Sequence, residues 1–231
     1  MCFSATASFI SGSALCVIGI ATLKKTKTSA EVPFALIPLL FGIQQLTEGI
    51  IWLTFSRDMP LLSQIMTYLY SLFSHVLWPI YVPIAVGLME AVSWRKKTIS
   101  AFGAAGIIAG LYLLYSLIAS PMVAEVVGRH IVYESPHFYV VPIMLLYLAA
   151  TCVSCFFSSH GFVKLFGVLM LLSFIIAYIV HIKALVSIWC FFAAILSLLI
   201  YFHFRFRHIG WGQSETQILP GASKAHSAKM I

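Results

Sequence analysis

No charged side chain interrupts the 31 residues between Asp58 and Glu90. A helix needs about 20 apolar residues to cross the hydrocarbon core of a bilayer. A stretch this long and this free of charge is therefore hard to place anywhere but in a membrane. Six further apolar segments accompany it. Together the seven lie at about 5–23, 33–55, 61–94, 99–120, 138–157, 162–182 and 184–204. Short polar breaks such as KKTK, SRDMP, RKK and SSHG separate several of them. Only 9% of residues are charged, against about 25% in a soluble domain. The mean hydropathy is +1.00. A solvated globule is excluded. The pattern predicts an all-α polytopic membrane protein with seven transmembrane helices. The third segment, at 34 residues, is too long for one straight span and is predicted to tilt, kink or protrude.

Residues 1–204 form the predicted transmembrane domain. Residues 205–231 form a basic and aromatic juxtamembrane segment with a polar tail too poor in large apolar residues to fold. Eleven of the Lys and Arg residues fall in the first, third and fifth connections and the tail, and three in the remaining connections. Basic loops stay in the cytoplasm, so the N-terminus is predicted outside and the C-terminus cytoplasmic. The net charge of +7 reads as these orientation signals and as contact with lipid headgroups, not as a nucleic-acid surface. The opening residues lack the basic region of a cleavable signal peptide, which predicts that the first span is retained. Cys152 and Cys155 make a C-x-x-C without a second pair, which fits small packing residues.

Polar side chains inside a bilayer should turn to the bundle interior. In the third segment Gln64, Thr67, Tyr68, Ser71, Ser74, His75 and Trp78 recur at steps of three and four, one stripe on one face. Interhelical hydrogen bonding and a lined cavity both fit such a stripe. Pro79 lacks an N–H, and its ring clashes with the carbonyl four residues back, which belongs to His75. The expectation is a kinked third helix with an orphaned acceptor beside the imidazole. In the second segment Gln44, Glu48 and Trp52 share a face, with Gln45 and Gly49 beside them. Glu48 is the one acidic residue well inside a span, and a lone intramembrane acid is a functional-site hypothesis by default. Glycines and small residues in the first and fourth segments, including Gly106 and Gly110, read as packing surfaces. So do Ser187 and Cys190 in the seventh.

The predicted topology puts Glu48, His75 and His181 in the outer half or near the midplane. It puts His130, Glu134 and His137 in the outer fourth loop and His160, His203 and His208 on the cytoplasmic side. The best fit is a non-enzymatic binder of a small molecule or ion, of transporter or receptor type. Its pocket would open outward and be lined by Glu48, Gln44, Gln45, His75, Ser71, Tyr68 and Trp78. The alternative is a metal-dependent intramembrane hydrolase, with a divalent metal such as zinc held by Glu48, His75 and His181 and one position left for water. Haem between His75 and His181 is a third arrangement. No P-loop, G-x-S-x-G or H-E-x-x-H occurs, and the seventh segment has no midspan lysine.

Three stretches carry a resemblance. They are MCFSATASF at the start, VPFALIPLLFGIQQLTEGIIWL in the second segment and SIWCFFAAILS in the seventh. They resemble an uncharacterised bacterial family of multi-spanning membrane proteins whose members open with that nonapeptide. The resemblance implies a bacterial inner-membrane protein and supplies no mechanism. If Met1 is trimmed, Cys2 would present an amine and a thiol together, a chelating pair or nucleophile. Otherwise these residues simply begin the first helix.

Overall fold

The computed structural model describes residues 4–128, 130–133, 140–180 and 182–206. Helix α1 (Ala5–Leu23) starts after Ser4, whose hydroxyl caps it by accepting the Ala7 N–H. Helix α2 (Val32–Arg57) has a proline in its first turn and stops at Asp58, which takes a left-handed conformation with φ 50°. Then come α3 (Pro60–Met89), α4 (Ser93–Ala119), α5 (Val141–Phe156), α6 (Gly161–Val180) and α7 (Leu185–Phe206). All but α5, six helices, are long and apolar enough to cross a membrane. Helix α5 is apolar but short. Its 16 residues rise about 24 Å, less than the hydrocarbon thickness of about 30 Å.

Helix α2 packs against α1, α3 and α7 and is buried along much of its length. By contrast α1 buries only a narrow stripe: Ser8, Gly12, Leu15, Gly19 and Thr22. Its backbone lies so close to α2 that a Cβ on Gly42 would stand 2.8 Å from the Cys16 nitrogen. The small residues of α1 and α2 thus serve packing. The outer faces of α4 and α6 expose Ile108, Leu111 and Ile118, and Leu172, Ile176 and Ile179. Such faces match lipid rather than water.

Where the sequence predicts a kink, α3 contains a π-helical stretch, Leu72–Leu77, between α-helical Pro60–Ser71 and Trp78–Met89. The change of register moves the consequence of Pro79. The Trp78 N–H bonds the carbonyl of Phe73, five residues back. In that register the donor that Pro79 lacks belongs to the carbonyl of Ser74, not to that of His75. Ser74 loses both of its possible helical donors, and the Tyr147 hydroxyl of α5 supplies the missing bond. Four residues on, Pro83 cannot donate to Pro79. The Pro79 carbonyl faces Gly106 of α4, where any Cβ would overlap its oxygen. The prolines of α3 and the glycines of α4 are one packing solution.

The stretch read from the sequence as a polar loop contains a β-hairpin. Strands β1 (Ala124–Val127) and β2 (His130–Tyr133) pair antiparallel, with Ala124 opposite Tyr133 and Val127 opposite His130. Gly128, at φ 65°, opens the two-residue turn, and tight hairpin turns need that sign of φ. Ile131, Val132 and Tyr133 are all buried. Strand β2 lies against the start of α7 and the turn before it, and Tyr133 stacks on Tyr70 of α3 at 4.4 Å between ring centres. The Tyr68 hydroxyl accepts the Met122 N–H just before the hairpin.

Candidate functional site: a buried polar shell and an aromatic cavity

Helix α2 brings three amide and carboxyl side chains into the bundle within one turn. Gln44, Gln45 and Glu48 are all fully buried. Gln44 and Glu48 are four residues apart and so lie one above the other, each meeting a different helix. Gln44 Oε1 accepts the Trp78 indole N–H of α3 at 2.7 Å. Glu48 Oε1 accepts the Ser187 hydroxyl of α7 at 2.7 Å. These two bonds tie α2 to both neighbours and leave the second oxygen of Glu48 unused. Glu48 Oε2 and both polar atoms of Gln45 are buried without a hydrogen-bond partner among the described residues. The Trp52 indole N–H, on the Gln44–Glu48 face one turn further on, is also unpartnered.

Beneath this shell is a cavity of about 20 Å³, measured as the space open to the centre of a water molecule. Phe41, Trp78, Tyr147, Phe166 and Trp189 are among the residues that line it. Phe41 and Trp78 stack at 3.9 Å and 16°. Tyr147 and Trp189 lie 5.6 Å apart. Cys190 is the wall common to shell and cavity. It lines the cavity, and its thiol lies beside Gln44 and Tyr70 and close to Glu48. Ser187 and Cys190 are three residues apart on α7, so one helix face meets Glu48 and Gln44 in turn.

The polar stripe of α3 is buried from Thr67 inward, at Ser71, Ser74, His75 and Trp78, whereas Gln64 is exposed and Tyr68 half-buried. Trp78 joins the α2 shell through Gln44. His75 is fully buried, and its Nδ1 lies 2.7 Å from the Ser74 hydroxyl. Tyr68 serves the loop before the hairpin. His181, Cys2, Glu134, His137 and His208 lie outside the described residues. Among the described residues, no three His, Cys, Asp or Glu side chains gather as a metal site. Tyr70, Tyr147 and Trp189 escape the sequence reading because tyrosine and tryptophan in an apolar run look like any other large hydrophobe. The i, i+3 pairing of Ser187 and Cys190 is visible, but only its partner helix distinguishes a site from a packing face.

The fold and its buried polar shell define a multi-pass membrane protein. The chain belongs to a family of unknown function, DUF6629, whose model matches residues 1–213. No curated protein and no solved structure matches it.

Proposed function

We propose that this membrane protein binds a small polar molecule or ion at the Glu48–Gln44–Gln45 shell, as a transporter or receptor does. The observation that carries this is a set of four polar atoms on α2 that no described residue bonds: Glu48 Oε2, Gln45 Oε1 and Nε2, and Trp52 Nε1. A buried polar atom left unsatisfied costs about 1–3 kcal/mol. Four would cost about 4–12 kcal/mol, comparable to the whole stability of a typical domain. A polar occupant that reaches these atoms removes that cost. Both acceptors and donors are on offer, which suits a ligand with hydrogen-bonding groups of both kinds. His75, Ser71 and Trp78 complete the polar interior from α3, and the hairpin lies over the α3–α7 side.

The same proposal places α5 as a seventh, short span in a bacterial inner membrane, with the N-terminus outside, the tail cytoplasmic and the site opening outward. Single cysteines in the α1–α2 and α2–α3 connections, labelled from either side of the membrane, test that orientation. The binding proposal is tested by thermal stability of the protein in lipid nanodiscs. The panel would hold small cations, zwitterions, anions and neutral polar solutes. At least one should raise the midpoint in a saturable manner for the wild type but not for Glu48→Leu. No saturable shift from any class would reject the site.

A further inference from the structure

The first turn of α7 is buried although it stands at an end of the bundle. Ala184, Leu185, Val186 and Ser187 are at most 4% exposed. Consecutive helical residues point about 100° apart, so a turn buried at each of them is covered from several directions. Strand β2 supplies part of that cover: it packs on α7 and on Ile182–Ala184 just before it. Ser187, the residue that bonds Glu48, lies in this turn, two residues past the first of the helix. A second line of contacts reaches the same shell from α3. Tyr133 of β2 stacks on Tyr70 at 4.4 Å and 8°. Tyr70 is fully buried and hydrogen-bonded to the Cys190 thiol, which is also bonded to Gln44. The two rings thus stand between the hairpin and the Gln44–Glu48 shell. The hairpin itself is lightly held. A lone two-stranded hairpin is marginally stable in water, and Glu125, Val126 and Val127 of β1 are exposed. Its grip on the bundle is apolar, through Ile131, Val132 and Tyr133. At its root the Tyr68 hydroxyl accepts the Met122 N–H at 3.3 Å. Segments with few buried contacts open locally while the core stays folded.

We propose that the hairpin is a gate over the Glu48 shell: lifting β2 parts Tyr133 from Tyr70 and uncovers the turn of α7 that carries Ser187. This rests on the Glu48 shell being a ligand site and names its entrance. A fully buried set of polar atoms exchanges its occupant only if some part of its cover moves. The helices around the shell, α1, α2, α3 and α7, are packed on one another. The hairpin can swing away without unpacking any of them. In the closed state the stacked rings of Tyr133 and Tyr70 leave no room for water between them.

The test uses the full chain in nanodiscs and two readouts. In the wild type, the amides of Ile131 and Val132 should exchange hydrogen about a hundredfold faster than those in the middle of α7. Equal protection would make the hairpin a fixed cover and overturn the gate. Hydroxyl-radical footprinting, with the radical made from water itself, then reads where water reaches. Tyr133→Ala should raise the oxidation of Tyr70 and Cys190 several-fold. Cys152 and Cys155, fully buried in α5, should react as in the wild type. Tyr133→Phe, which keeps the ring, should leave all four unchanged. Monodisperse elution checks that each variant folds, and Tyr133→Leu replaces an alanine variant that does not. Unchanged oxidation of Tyr70 and Cys190, or an equal rise at Cys152 and Cys155, would overturn the gate. If a solute stabilises wild type and not Glu48→Leu while the hairpin is as protected as α7, the ligand site stands and only its entrance is wrong. If the hairpin opens but no solute binds, the ligand site falls and the gate with it.

Discussion

Among the described residues two glutamates are buried, and they are used in opposite ways. Glu90, at the end of α3, spends both oxygens. Oε1 accepts the Val92 N–H at 3.0 Å and Oε2 the Ser159 N–H at 2.6 Å. It ties the α3–α4 connection to the α5–α6 connection, where Arg95 also donates to the Phe157 and Ser158 carbonyls. Glu48, in mid-helix, has one bond, to Ser187, and one bare oxygen. The contrast is one of partner supply. Connections offer backbone N–H groups that no helix is using, so a carboxylate there can be fully satisfied by the chain. The interior of a helix bundle has already committed its N–H groups, so a carboxylate there depends on side chains or on something brought from outside. Burial alone does not separate a structural acid from a candidate functional one; the number of filled lone pairs does.

Mutations can break or sharpen this contrast. Glu90→Ala should have the largest effect on the fold, a loss of about 3 kcal/mol for two charge-assisted bonds, read by chemical unfolding in mixed micelles. A loss below about 1 kcal/mol would place Glu90 with Glu48. Tyr147→Phe comes next. Removing its hydroxyl leaves the Ser74 carbonyl without a donor beside Pro79, at about 1–3 kcal/mol; an unchanged stability would mean that another group takes over. Glu48→Leu should leave ligand-free stability within about 1 kcal/mol of wild type, or raise it, because a poorly paired buried acid is replaced by an apolar side chain. The same variant should lose every ligand-induced shift. A large destabilisation instead would make Glu48 structural. Ser187→Ala should cost about 1 kcal/mol in the wild type and close to nothing on top of Glu48→Leu, a double-mutant cycle that isolates the single Glu48 bond.

Much of the fold is legible in the sequence because the bilayer enforces a simple rule. Charge-free runs of about 20 residues become helices, and breaks such as KKTK and SRDMP mark their ends. Glu48 stands out for the same reason: an acid in an apolar run has no cheap explanation. The small-residue positions of α1 and α4 are legible as close contacts, although not whom they contact. Two features were less so. The hairpin AEVV-GR-HIVY carries β-branched residues on both sides of a two-residue turn, a recognisable signal, but its charged and polar neighbours make it look like loop. Pro79 reveals that a hydrogen bond is lost without revealing which one, because the count assumes an α register and the chain adopts a π one.

The sequence by itself determined that this chain is a membrane bundle of long apolar helices, and that Gln44, Gln45 and Glu48 lie within one turn of one of them. Hydrophobic length and helical periodicity are local properties, so they can be read along a line. Only the tertiary structure decided that Trp78 bonds Gln44 and Ser187 bonds Glu48, that Cys190 and five aromatic rings border a cavity beside them, and that Tyr147 answers for Pro79. Those facts depend on which faces of distant helices meet, and a face has no partner until the bundle closes.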